Sequence, residues 1–311
     1  MLDQPPFREH EGLVLAEGGS GEVGVIVPTR NRPAMLGRCL DALAATQKTT
    51  PFRVYVCDSS GPEVAAEVEE LCARHSFVEL VSHDRRGAAA ARNVGTLACD
   101  AELVVSVDDD IYVEPDAIDA LVRAYREAGE PSAVAGTVAW TDWSSRPLVM
   151  RRTGCGREAE PGEPFEFLIS ALILYPRKLA LAFPWNERLW PYEDRYASLV
   201  WRAAGARLAF APEARAKHDA IENSEYPVAC EADRIYVNLI DAALVTRSPG
   251  RLLGFEFLGF AARAKRFGRS PAGAWGIVRA WLRGHMALLR DLPAVRRTIA
   301  QARRHRLTAS P

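Results

Sequence analysis

The stretch VGVIVPTRNRPAMLGRCLDAL, residues 23–43, holds one complete strand–loop–helix unit. Its first six residues are a short apolar run of the kind that forms a strand buried on both faces. The polar TRNR ends that run. Pro33 suits the first turn of a helix, and Met35, Leu36, Cys39, Leu40 and Leu43 then recur at helical spacing. RVYVC (53–57) predicts a second strand, which ends at Asp58 and a Ser-Ser-Gly turn. Pro62 opens a second helix with Val64, Val68, Leu71 and Cys72 on one face. VELV (78–81) and ELVVSV (102–107) predict strands three and four. A helix over AAAARNVGTLA (88–98) lies between them, and another starts near Pro115 with Ile118, Leu121, Val122 and Tyr125 in phase.

This alternation, sustained to about residue 127, predicts an α/β fold: a mostly parallel, Rossmann-like sheet with helices on both faces. Open sheets of this kind bind ligands outside the carboxyl ends of their strands. Thr29–Arg32 follow strand one, Asp58 strand two, Arg85 and Arg86 strand three, and Asp108–Asp110 strand four. Four strand ends are therefore expected to converge on one cleft. Beyond them the pattern predicts a strand over 133–140, a loop or excursion over 141–164, an apolar stretch over 165–175 and a helix over 192–205 stopped by Gly205. A strand over 207–212 comes next, with His218 just past it, and residues 230–306 read as entirely helical.

With 311 residues, 48% hydrophobic and 25% charged, the composition is that of a globular chain. The net charge of -1 implies no general affinity for nucleic acid. It hides an asymmetry: residues 257–311 hold twelve lysines and arginines against a single acid, Asp291. Six scattered cysteines form no Cys-x-x-Cys pair, which argues against a zinc site of that kind and for a reducing, cytosolic compartment. The N-terminal MLDQPPFREHEG is polar and acidic, unlike a signal peptide. No apolar run approaches the roughly 18 residues of a membrane helix.

In VVSVDDDIYVEPD (104–116) an apolar strand runs into three adjacent carboxylates. Such charges repel unless they are spread into water or gathered around a cation. If the strand persists, Asp108 and Asp110 share one side and Asp109 faces the other. Two readings stand: an acidic turn before the helix at Pro115, or a sparse metal site completed by substrate phosphates.

VGVIVPTRNRPAMLGRCLDAL, VYVCDSSGPE, GAAAARNVG and VSVDDDIYVEPD, in this order, resemble the family-two inverting glycosyltransferases of the GT-A fold. WNERLWPYEDRYASLVWRAAGARLAFAPEARAKHD resembles their second half, so the resemblance covers roughly residues 22–220. It implies a nucleotide-binding half over 22–127 and an acceptor half over 128–220, between an N-terminal extension (1–21) and a helical basic region (221–311). It further implies that Pro28, Thr29, Arg30, Asp58, Arg86, Asp108 and Asp109 line the nucleotide site, with Asp58 on the base, usually uracil. Asp110, His218 and Asp108 would hold Mn2+ or Mg2+, Asp194 would be the catalytic base, and Glu193 would orient it or contact the acceptor. The expected partners are a nucleotide-sugar donor, most often a UDP sugar, and a hydroxyl acceptor.

Two departures from the family pattern fall where sugar and acceptor bind. LAFPWNERLW replaces the Gly-Gly-Phe-Asp-Glu segment of many members, and Tyr196 stands where many carry an acid. Trp185, Trp190 and Tyr192 are either sugar-stacking or core aromatics. A sugar nucleotidyltransferase would usually carry a Gly-rich loop with Lys after strand one, and PTRNRP has neither. A non-catalytic nucleotide-sugar-binding protein is the remaining alternative. Within 252–306, Ile277, Val278, Trp281, Leu282, Met286, Leu289 and Leu292 form a helical stripe, with Arg279, Arg283 and Arg290 mostly off it. That stripe either packs on the catalytic domain or lies peripherally on the inner face of the plasma membrane.

Overall fold

A computed structural model describes residues 23–46, 50–141, 143–160, 162–219, 230–268 and 271–308. The expected N-terminal extension, residues 1–21, lies outside the described residues. The first half alternates as the apolar pattern requires: β1 (Val23–Thr29), α1 (Pro33–Thr46), β2 (Phe52–Asp58), α2 (Pro62–Ala73), β3 (Val78–Ser82), α3 (Ala88–Ala98), β4 (Leu103–Val107), β5 (Ile111–Val113) and α4 (Ala117–Ala128). β6 (Ser132–Ala139), the hairpin β7 (Leu148–Met150) and β8 (Gly156–Glu158), β9 (Leu172–Pro176), α5 (Arg177–Ala182), α6 (Glu193–Ala203) and β10 (Arg207–His218) follow. The remainder is helical, with α7 (Glu231–Ile240), α8 (Pro249–Leu253), α9 (Gly259–Phe267) and α10 (Pro271–Thr308) joined partly by π turns at Asp241–Val245 and Gly254–Leu258.

Eight strands form one sheet in the order β3-β2-β1-β4-β9-β6-β10-β5. β3, β2, β1 and β4 are parallel, as are β6 and β10, while β9 and β5 run antiparallel to their neighbours. The chain moves outward from β1 to β3 and then returns past β1 to β4. The strand order thus reverses between β1 and β4, which opens a crevice at their carboxyl ends.

The apolar runs are explained by burial on both faces. Val25 and Val27 point into one core with Leu36, Leu40, Val54, Val56 and Leu121; Ile26 points into the other with Tyr55, Cys57, Val104, Tyr175 and Trp201. Each such fully buried Val or Ile stabilises the fold by about 1.5–3 kcal/mol relative to exposure. Five of the six cysteines are buried and serve as small core residues.

α3 lies hard against this sheet. A Cβ on Gly95 would sit 2.6 Å from Ile26 Cγ2 and 2.7 Å from Cys57 Sγ. Only glycine allows the helix to approach β1 and β2 so closely, and that approach sets the depth at which Arg92 and Asn93 enter the core. Gly95→Ala is expected to cost about 1–3 kcal/mol through overpacking, read as a lower urea midpoint at unchanged slope.

Three local expectations change. The 141–164 excursion contains the β7–β8 hairpin. β10 extends past the expected 207–212, across a register shift between Ala211 and Arg215, so that His218 is its last residue rather than following it. β4 stops at Val107, so strand alternation does not continue through the aspartates.

Candidate functional site

The crevice is built from strand ends in register. Thr29 pairs with Asp58 and Asp58 with Ser82. Two further bonds, Ser59 N to Thr29 O (3.2 Å) and His83 N to Asp58 O (2.9 Å), extend the ladder past the strands. Asp58 is buried, and its Oδ1 accepts from Ser60 N at 2.9 Å and from the Ser60 hydroxyl. Asp58 thus closes the turn after β2, and these bonds hold its carboxylate at the mouth of that strand. His83 lies beside it; burial and the Arg85 charge hold its imidazole below the usual range.

Each aspartate of the triplet has a different task. Asp108 Oδ1 accepts from Arg92 Nη2 at 2.6 Å. Asp109 is buried, accepting from Thr29 Oγ1 at 2.7 Å and from Arg32 Nη1 at 3.4 Å. Burial pushes the Asp109 carboxyl up to about 6. Asp110 Oδ2 lies 3.1 Å from Arg32 Nη1 and 3.7 Å from His218 Nε2. The expected sharing of one side by Asp108 and Asp110 is thus replaced by a turn that sends one to Arg92 and the other to His218. β5 makes the second meeting: it pairs antiparallel with the end of β10, matching Ile111 to His218, and Asp219 N donates to Asp110 O at 2.8 Å. The His218 ring stacks on Trp140, with centroids 5.1 Å apart and planes at 25°.

Arg92 is the hub. Its side chain is buried on α3, donating from Nε to Ser106 Oγ at 2.9 Å, from Nη1 to Glu193 Oε1 at 3.1 Å and from Nη2 to Asp108. Its guanidinium lies 5.0 Å from the Trp185 ring centroid. A single cation therefore links the end of β4 to the first turn of α6. Next to Glu193, Asp194 Oδ1 accepts from Arg195 N at 2.6 Å. Burial first, and the Glu193 charge second, push the Asp194 carboxyl up to about 7, against the helix N-terminus that favours its anion. Here desolvation outweighs the dipole.

The segment before α6 is held from several sides. Asn93 Nδ2 donates to Trp185 O at 2.9 Å and to Glu187 Oε1 at 2.8 Å, and Arg85 pairs with Glu187. Arg188 forms a buried pair with Asp291 of α10, and Arg234 Nε donates to Tyr192 OH at 2.7 Å. Trp185 is fully buried against Tyr175 and Trp201, which makes it a core residue and leaves Trp190 as the exposed aromatic of that segment. Pro28 is buried in β1, and Arg30 and Arg86 are exposed on the rim loops. Sequence reading passed over Arg92, Asn93 and Trp140, and placed Arg32 at the cleft without assigning it a partner. For Arg92 a signal existed: it is the single charged residue of the helix AAAARNVGTLA.

Residues 24–178 match the model of the family described as glycosyl transferase family 2. The pre-mycofactocin glycosyltransferase of Mycobacterium tuberculosis is 25% identical over 210 residues, covering 64% of this chain and 43% of that one. Chondroitin synthase of Escherichia coli is 26% identical over 106 residues, 34% of this chain and 15% of that one. The chain thus spans less than half the length of either relative. S. aureus TarS 1-349 in complex with UDP superposes with a TM-score of 0.63 at 15% identity, over 92% of this chain and 88% of that one. Mannosyltransferase PcManGT from Pyrobaculum calidifontis, in complex with GDP-Man and Mn2+, superposes with a TM-score of 0.51 at 20% identity, over 97% and 80%. At such identities these two likenesses speak for the fold.

Proposed function

This chain belongs to glycosyl transferase family 2 and has the GT-A fold; from that premise we propose that it transfers a sugar from a UDP sugar to an acceptor hydroxyl, with a divalent metal, by one inverting displacement. The observation that carries the reading is the Asp108–Arg92–Glu193 bridge, which ties the triplet at the end of β4 to the turn holding Asp194. The family match supports glycosyl transfer as such.

Whether the residues fit a metal is decided by their donor set. Asp110 offers a carboxylate oxygen and His218 an imidazole nitrogen 3.7 Å away. Among the described residues no group of three or more His, Cys, Asp or Glu could hold a metal ion. Two protein ligands suit an ion that takes its other positions from water and a diphosphate. Burial and the Asp108 charge already raise the Asp110 carboxyl, a strain that a cation relieves. The set fits, and the Arg32 guanidinium 3.1 Å from Asp110 sets a positive charge against the same carboxylate. When bound, the ion would supply positive charge against the departing diphosphate.

Thr29 and Asp109 fix the floor of the crevice through their 2.7 Å bond. Asp58 accepts from the base of the nucleotide. Asp194 takes the acceptor's proton as the hydroxyl oxygen attacks the anomeric carbon opposite the diphosphate, so no covalent enzyme intermediate forms. Glu193, clamped by Arg92, fixes the first turn of α6 and so the aim of its neighbour.

A thermal-shift panel of nucleoside diphosphates with and without Mn2+ tests the donor. UDP should raise the melting temperature only with Mn2+, and GDP should raise it less. An equal response to UDP and GDP would refute the uracil reading. Asp110→Ala should remove the Mn2+ dependence of the UDP response and abolish transfer; a variant that keeps that dependence places the metal elsewhere.

A further inference from the structure

Eight of the ten exposed large apolar side chains among the described residues lie between Leu253 and Leu289. Trp275, Leu282, Met286 and Leu289 are separated by seven, four and three positions on α10, the spacing of one helix face. They are 65%, 47%, 67% and 71% exposed. At 1.5 Å per residue the stripe is about 21 Å long. Leu253, Phe257 and Phe260 lie on the neighbouring segment, which is locked to α10 where Trp281 Nε1 donates to Glu256 Oε2 at 2.7 Å. Arg279 and Arg283 flank the stripe, exposed and paired with no acid among the described residues.

The same face continues into a groove of about 340 Å³. Arg296 lies seven residues beyond Leu289, and Arg303 seven beyond Arg296. Together with Arg247 these arginines line the groove, whose other walls are apolar, Leu244 and Ile299 among them. No acid lines it. Arg303 is braced by bonds to Leu244 O (2.6 Å) and Val245 O (2.9 Å), and burial with the Arg247 charge depresses its pKa. Among the described residues these three cations pair with no acid.

We infer that this face of the C-terminal helices docks on an anionic phospholipid surface, with the stripe at the acyl boundary and the arginine groove on a headgroup phosphate. An apolar helix face bordered by arginines is the pattern of an interfacial helix, and the positive charge complements anionic lipid. A second copy fits poorly, because an isologous contact would set the same arginines against each other. Among the described residues no helix is long and apolar enough to cross a membrane, so the contact is peripheral. α10 also packs on α6, and its Asp291 holds Arg188 ahead of Asp194, so the docked face and the site form one connected body. The inference does not depend on the roles proposed for Asp194 or Asp110.

The test is flotation of the full chain with phosphatidylcholine vesicles, with and without phosphatidylglycerol. The chain should float with the anionic vesicles only. Met286→Asp/Leu289→Asp and, separately, Arg247→Ser/Arg296→Ser should each lower the bound fraction roughly tenfold, with unchanged melting temperature and UDP response. Soluble glycerol phosphate should neither shift the melting temperature nor displace the vesicles. Equal binding to neutral vesicles, no flotation, or displacement by glycerol phosphate would overturn the inference. So would a dimer in solution that Met286→Asp/Leu289→Asp dissociates.

Discussion

Asp194→Asn lowers kcat for sugar transfer by roughly 10²–10⁴-fold, the usual worth of a general base, and leaves Mn2+-dependent UDP binding unchanged. The amide keeps the size of the side chain and still offers an oxygen to Arg195 N, which Asp194 bonds at 2.6 Å. What it loses is the site that receives the acceptor's proton. The pH dependence follows with a definite sign. Burial and Glu193 push the Asp194 carboxyl up to about 7. Below that pH the residue is protonated and unable to act as base, so kcat/KM rises with pH through about 7 and then levels. The Asn variant has no such limb. Stability moves the other way. A carboxyl raised above its unfolded value costs nothing below the unfolded pKa, and its penalty grows until pH passes the folded pKa. Asp194→Asn is therefore more stable than the parent at pH 8 and little different at pH 4, measured by urea unfolding. A variant retaining most of its turnover would refute Asp194 as base.

The first, second and fourth strands were legible because each is buried on both faces, and two-sided burial writes itself as an apolar run in Val23–Val27 or Leu103–Val107; the third, at the sheet edge, was legible from its short VELV run alone. The rim was legible for a related reason: a parallel sheet puts all its strand ends on one side, so polar residues after each run must meet. Partner choice was not legible. β5 has three residues, and its pairing with the end of β10 joins positions 111 and 218, a contact that local pattern does not encode. That pairing turns Asp110 toward His218. Arg92 was hidden in a different way. A buried arginine is tolerable only beside acids, and its acids, Asp108 and Glu193, come from elements 16 and 101 residues away. In the family resemblance Glu193 and Asp108 were separate motifs; the structure joins them through a residue that belongs to neither.

Arg92→Met destabilises the fold by about 3–5 kcal/mol, because removing one member of a buried ionic cluster leaves its partners uncompensated. Met fills the space of the stem but gives nothing to Asp108, Glu193 or Ser106 Oγ. Were the residue merely structural, activity would fall only with the folded fraction. A positioning role predicts more. The Arg92 charge lowers the pKa of Asp194, while burial and Glu193 raise it. Without Arg92 the acid limb of kcat/KM moves to higher pH, and kcat falls even where the chain remains folded. Arg92→Lys separates charge from shape: it keeps the cation but lacks the planar fork that reaches both carboxylates. It should keep the limb nearer 7 than Met does while still losing turnover. Adding Glu193→Gln to Arg92→Met removes the unpaired carboxylate and should recover part of the lost stability, the non-additivity expected of residues in one network. Turnover stays low in the double variant, since the clamp on the first turn of α6 is gone. A double variant whose stability losses simply add would show that the bridge between β4 and α6 carries no coupling.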